Sequence, residues 1–236
     1  MKKLLILACT LLLCASSMAG EEPEYTFVDW SPFGTNKPGW HFATGGFTLG
    51  WVKATGTPDE MRQDMGRSIE IGADMLAGAR YVTPSLKQWF AVGVGINWRN
   101  YKLKKSSMFS HDADLLYVGA YPDGCEPQSS RLKIFSITMP MIFRQKLHGR
   151  WGVFVGPVVH FNVRASLETK YVDAADESIK ISTHENLHAT PVTVDLMAGV
   201  NFSALALYAR YCPQRVIRDG YGPSFRTLTT GITFFF

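Results

Sequence analysis

Five consecutive residues, His184, Glu185, Asn186, Leu187 and His188, carry the spacing H-E-x-x-H. On a helix that spacing puts two imidazoles on one face as zinc ligands, with the glutamate between them as general base. Here the stretch follows Ile179–Thr183, a β-branched run, and precedes Pro191, so no helix is signalled. No third ligand stands out. Chance alone produces the pattern in roughly one chain in a hundred, so the expected reading is a solvated loop. Capture of a surface metal by His184, His188 and His111 is the alternative. There is no G-x-S-x-G elbow and no nucleotide-binding glycine motif. The expectation is a chain with no catalytic residue, no metal and no cofactor. A second set of charges is more informative. Glu70, Asp74, Arg99, Arg144, Arg164, Asp195 and Arg210 occur singly, inside segments that are otherwise apolar or small. Buried charges are costly unless paired, so these seven are expected to meet one another.

The segments that must position them have a period of two. Eight are read: 41–53, 67–80, 88–103, 132–146, 150–170, 191–202, 205–212 and 225–236. Alternation is clean in the third, where Phe90, Val92, Val94, Ile96 and Trp98 oppose Ala91, Gly93, Gly95, Asn97 and Arg99. The fifth places Val153, Val155, Val159 and Phe161 against Gly152, Gly156, His160, Asn162 and Arg164. Each segment thus has an apolar face and a face that is small, polar or charged. Connections alternate too. Residues 55–66, 104–131, 171–190 and 213–224 are long and polar, whereas 81–87, 147–149 and 203–204 are short. Long and short in turn is the rhythm of a closed meander with one rim outside the cell and the other in the periplasm.

Aromatic residues follow the same sorting. Phe90, Phe143, Trp151, Phe202, Phe234 and Phe236 lie at the ends beside short links, and Trp51, Trp98 and Tyr211 lie at the opposite ends. Two aromatic girdles of this kind mark the two membrane–water interfaces. Phe90 to Trp98 is about the length a tilted strand needs to cross the hydrocarbon. The fold expected is all-β, an eight-stranded antiparallel up-and-down transmembrane barrel with long extracellular loops and short periplasmic turns. Pro140 and Pro157 stand inside two of the segments, where proline removes a ladder donor. A bulge is expected at each.

The chain has 236 residues and a formal charge of +4. Its first residues, MKKLLILACTLLLCASSMAG, have Lys2 and Lys3, a short apolar run and Ser17-Met18-Ala19, the pattern of a cleaved secretory signal. Removal of residues 1–19 takes away two lysines and no acid, leaving +2, which is no electrostatic footprint for nucleic acid. Residues 20–39 are then a periplasmic lead-in and 40–236 the barrel. Cys125 and Cys212 remain, and a bridge or two free thiols are equally open.

With these features in place, the chain from Trp40 onward resembles the small outer-membrane β-barrel domain family, the OmpA/OmpX-like eight-stranded barrels of Gram-negative bacteria. FSITMPMIFRQKLHGRWGVFVGPVVHFNV, residues 135–163, is similar to the middle hairpin of the PorT-like branch. The last strand also resembles the family's assembly signal, mapped onto Thr229, Gly231, Phe234 and Phe236. The resemblance implies outer-membrane lipid, lipopolysaccharide and the outer-membrane assembly machinery as partners. Some such barrels are lipid-modifying enzymes with a His and Ser pair at the outer interface. His160 has Asn162 and no serine at two-residue spacing, so it is expected to be a satisfied lumen histidine. The expected function is non-enzymatic: interaction through surface loops or support of the envelope. Binding or transport of a small apolar ligand, an accessory role in a secretion or surface-assembly system, and an enzyme using the His184/His188 loop are the alternatives.

Overall fold

The computed structural model describes residues 37–58, 61, 63–112, 114–184 and 187–234. The expected signal, most of the expected lead-in, and Phe236 lie outside the described residues. The strands are β1 (Gly39–Thr55), β2 (Ile69–Val82), β3 (Gln88–Lys102), β4 (Met108–Asp112), β5 (Leu115–Gly119), β6 (Glu126–Lys146), β7 (Trp151–Val172), β8 (Ser178–Thr183), β9 (Val192–Phe202), β10 (Leu205–Cys212) and β11 (Arg226–Phe234). Eight of them close an antiparallel ring in the order β1, β2, β3, β6, β7, β9, β10, β11. The seam is the β1–β11 pair, in continuous register from Phe47 opposite Phe234 to Thr55 opposite Arg226. Gly231 permits that seam: a Cβ there would overlap the Leu49 carbonyl on β1.

The other three strands belong to the long connections. β4 and β5 form a hairpin inside the 103–125 connection. β8 adds to the far end of β7, outside the ring. Both were expected to be loop, because five or six residues amid polar neighbours carry too little alternation to read. β6 begins at Glu126 and β7 runs to Val172, so this hairpin rises well past the rest of the ring.

The two prolines need no bulge, contrary to expectation. Pro140 stands opposite Val158, and Phe143 opposite Val155, in one unshifted register. Pro157 likewise pairs in step with Leu196 of β9. The rungs between those pairs are simply missing from the β6–β7 ladder. Gly156 lies in that gap, and a Cβ there would overlap the Met141 carbonyl. The backbones therefore close up where proline cannot donate. Bulges occur elsewhere, between Phe135 and Ser136 on β6 and between Ala73 and Ala77 on β2.

Alternation sorts the side chains as physical chemistry requires. Phe90, Val94, Trp98, Ile137, Leu196 and Leu207 point outward and are exposed. Inside, the ring is filled in three layers. Ile142, Phe154, Val158, Met197, Ala206 and Tyr208 form an apolar layer toward the short turns. A second apolar layer, built on Val52, Tyr101, Leu132, Leu167 and Phe225, lies toward the long loops. Charged groups are held between the two.

Candidate functional site

The middle layer starts from one strand pair. Glu70 on β2 is directly opposite Arg99 on β3, and alternation turns both inward. Arg99 Nε donates to Glu70 Oε2 at 2.7 Å. Arg210, from β10 across the ring, donates from Nη1 to Glu70 Oε1 at 2.8 Å and from Nη2 to Asp74 Oδ1 at 2.9 Å. Thr229 on β11 adds a hydroxyl to Glu70 Oε2 at 3.1 Å. The other Arg99 branch, Nη2, donates to Asp195 of β9. His160 Nε2 lies 3.1 Å from both Arg99 Nη2 and Asp195 Oδ2. Two guanidinium forks thus tie three carboxylates and a histidine, groups from five strands, and Thr229 on β11 adds a sixth. Space for the crossing side chains is left by Gly50 on β1, where a Cβ would sit 2.5 Å from the Tyr208 hydroxyl.

Five of the seven expected charges therefore meet: Glu70, Asp74, Arg99, Asp195 and Arg210. Arg144 is apart from them. It is half-buried near the short turns, with its guanidinium carbon 5.4 Å from the centre of the Trp89 ring. Arg164 is a correction. It is exposed and paired in register with Phe135, on the outer face. The β7 side of the Phe135/Ser136 bulge holds one extra residue, Val163, and an extra residue reverses every later side chain. Asn162 before it hydrogen-bonds Ser136 Oγ at 2.6 Å, while Leu167 and Thr169 after it are the buried ones.

Above the ionic layer the long connections fold inward rather than standing free. Met61, Phe109, Leu116, Leu187, Val216 and Ile217, all from these connections, pack onto the second apolar layer. Backbone bonds stitch them together: Leu116 N to Tyr221 O, Thr190 N to Val216 O and Arg218 N to His188 O, each 2.9 Å. Ser130 Oγ accepts from Phe109 N at 2.8 Å and meets Thr169 Oγ1 at 2.8 Å. The loops and the barrel mouth share one core.

This accounts for much of the H-E-x-x-H stretch. Leu187 is a buried member of that core. His188 stacks on Tyr221 with ring centres 3.9 Å apart, and its Nε2 is 3.6 Å from Asp114 Oδ1. His184 is exposed and within 3.2 Å of Ser182 Oγ. Neither histidine is helical, Glu185 lies outside the described residues, and no cluster of three or more metal-ligating side chains occurs among the described residues. Cys125 and Cys212 are both free thiols. Thr229 and Gly231 sit at the β11 seam, and Phe234 is exposed on the outer face.

No family model matches the chain, and no curated protein does. Among solved structures, two of Ail, the attachment invasion locus protein of Yersinia pestis, are similar at 14% identity, covering 85% of this chain and 100% of that one. Their TM-scores are 0.35, for Ail bound to the heparin analogue sucrose octasulfate, and 0.34. A likeness of that score carries no weight on function. The eight-stranded antiparallel barrel rests on the strand register itself.

Proposed function

We propose that the chain is an outer-membrane barrel, with its long-loop rim facing the cell exterior, that works through its outside surface and not through its lumen. The observation that carries this reading is the filling of the ring: an ionic layer clamped between two apolar layers, the upper one continuous with the folded loops. Eight strands enclose room for side chains and little else, and here side chains occupy it. The exposed apolar belt between aromatic rims supports insertion in lipid. Loops tied down by a core they share with the barrel mouth form a rigid platform suited to docking a partner or bracing the envelope. A cleaved signal over residues 1–19, a periplasmic lead-in over 20–39 and an assembly signal at Thr229, Gly231, Phe234 and Phe236 complete the proposal. The resemblance of residues 135–163 to the PorT-like hairpin adds a surface-assembly system as a candidate partner.

Fractionation of cells, with gel mobility before and after boiling, tests the reading. Recovery in the outer membrane with a heat-dependent mobility shift is the expected result. A periplasmic, soluble chain whose mobility ignores boiling would overturn it.

A further inference from the structure

We infer that the acidic lead-in, residues 20–36, docks across the short-turn mouth of the barrel and is held there by Arg80, Arg144 and Lys146. The inference rests on the reading above that residues 1–19 are removed and that the lead-in lies in the periplasm.

The charges of the chain are divided by end. Lys37, Arg80, Lys87, Arg144, Lys146 and Arg150 all lie at the short-turn end of the ring. The acids among the described residues lie elsewhere. Glu70, Asp74 and Asp195 are in the ionic layer, Glu126 and Glu168 are at the long-loop ends of β6 and β7, and the rest belong to the long connections. Asp59, Glu60 and Glu185, outside the described residues, also fall within the long connections in sequence. That leaves Glu21, Glu22, Glu24 and Asp29, all in the lead-in, which has no lysine or arginine between residues 20 and 36.

Register aims part of the cationic end inward. Arg80 is opposite His41 on β1 and opposite buried Ala91 on β3. Arg144 is opposite Trp89 and buried Phe154, and Lys146 is opposite Gly152. Trp40, Phe42, Tyr81 and Phe90 have the other parity and are exposed on the outside. Alternation therefore turns Arg80, Arg144 and Lys146 toward the lumen axis, where all three are half-buried. Gly152 leaves room for this, since a Cβ there would lie 3.3 Å from Arg144 Nε.

Lipid headgroups surround the ring and do not reach across its mouth, so inward cations suit an anion arriving from the periplasmic side. The lead-in enters from that side. His41 Nε2 donates to the Lys37 carbonyl at 2.8 Å, and His41 has the inward parity of Arg80. Pro38 and Gly39, the latter at φ +118°, make the bend. The chain before β1 is thus led over the lumen side of the rim. From Lys37 back to Glu24 it can span at most about 45 Å, ample for crossing an eight-stranded ring. Single exposed ion pairs are weak, but a tether sets an effective concentration of about millimolar order, so several together suffice.

The test uses residues 20–236 refolded in phosphatidylcholine vesicles, with Cys125→Ser and Cys212→Ala. Nitroxides are placed at Thr26→Cys in the lead-in and Ser85→Cys in the turn between β2 and β3. A short, narrow distance distribution is expected, broadening in about 1 M salt, where the Debye length falls to about 3 Å. Neutralising the lead-in, Glu21→Gln, Glu22→Gln, Glu24→Gln and Asp29→Asn, should lower the docked-to-free ratio on the order of tenfold. Heat-dependent gel mobility should stay as in the parent, since no residue of the ring is changed. Arg80→Gln with Arg144→Gln and Lys146→Gln should lower the ratio as far, whereas Lys180→Gln at the long-loop end should leave it unchanged. A broad distribution in the folded parent would overturn the inference, as would a narrow one that ignores neutralisation of the lead-in. Broadening when phosphatidylglycerol replaces part of the phosphatidylcholine would overturn the commitment to the lead-in and make lipid the occupant. Failure of the parent to fold in vesicles would instead sink the membrane reading. A chain recovered from cells with residues 1–19 attached would sink the periplasmic lead-in on which the inference rests.

Discussion

Glu70 has both carboxylate oxygens engaged, by Arg99 and Thr229 on one and Arg210 on the other. Arg210 in turn holds Asp74, and all of these groups are buried. In such a set the cost of desolvation is met only while every member is present. Arg210→Met is therefore expected to destabilise the folded barrel by about 3–5 kcal/mol, because it leaves Glu70 and Asp74 short of a cation in a sealed layer. Arg164→Gln, at an exposed position, is expected to change stability by no more than about 0.5 kcal/mol. Urea unfolding of both variants in vesicles checks the pair. Comparable losses at the two sites would mean that the lumen network does not carry the stability assigned to it. The seven charges looked equivalent in sequence, and nothing in their types distinguishes Arg210 from Arg164.

Elements decide that distinction. Period two places a residue inside or outside only until a strand gains a residue, and the extra Val163 in β7 is where the phase changes. The β2 irregularity between Ala73 and Ala77 acts only locally: it adds two residues relative to β3, so the phase is the same on either side, but within it Asp74 is buried and Leu76 is exposed. The β4–β5 hairpin makes a separate contribution, since Phe109 and Leu116 enter the upper core. Replacing residues 104–125 with a short Gly-Ser linker is expected to keep the ring, because the hairpin pairs with no strand of it. Amide exchange should nonetheless speed up around Leu132, Leu167 and Phe225, whose packing the hairpin completes. Unchanged exchange at those positions would show that the hairpin merely rests on the mouth.

At the scale of the whole molecule, the consequence of three filled layers is a closed body. No aqueous path is expected through it, so the parent protein in a planar bilayer should give no ohmic conductance under conditions where an open porin does. Steady channel currents from the purified chain would contradict the sealed lumen directly. The folded loop cap is the surface through which the proposed function would act.

The sequence by itself determined the fold class, the eight strands of the ring, which rim carries the long connections, and the aromatic rims. These follow from period-two patterning and from the cost of leaving apolar or charged groups on the wrong side, which act locally along the chain. The lumen position of His160 was legible for the same reason, but not its full satisfaction: Nε2 meets Arg99 and Asp195, while the buried Nδ1 has no hydrogen-bond partner among the described residues. The sharing of Glu168 by Arg131, Lys133 and Lys170 on the exterior was missed, although Arg131 with Lys133 and Glu168 with Lys170 show the two-residue spacing; which charges face each other depends on strand register. Tertiary structure alone decided that Arg164 points outward, that Pro140 and Pro157 sit in unshifted register, that the loops share a core with the barrel mouth, and that Leu187 anchors the histidine-bearing stretch in it. Each depends on a bulge, a close backbone approach or a contact between residues far apart in sequence, and a local pattern has no access to any of them.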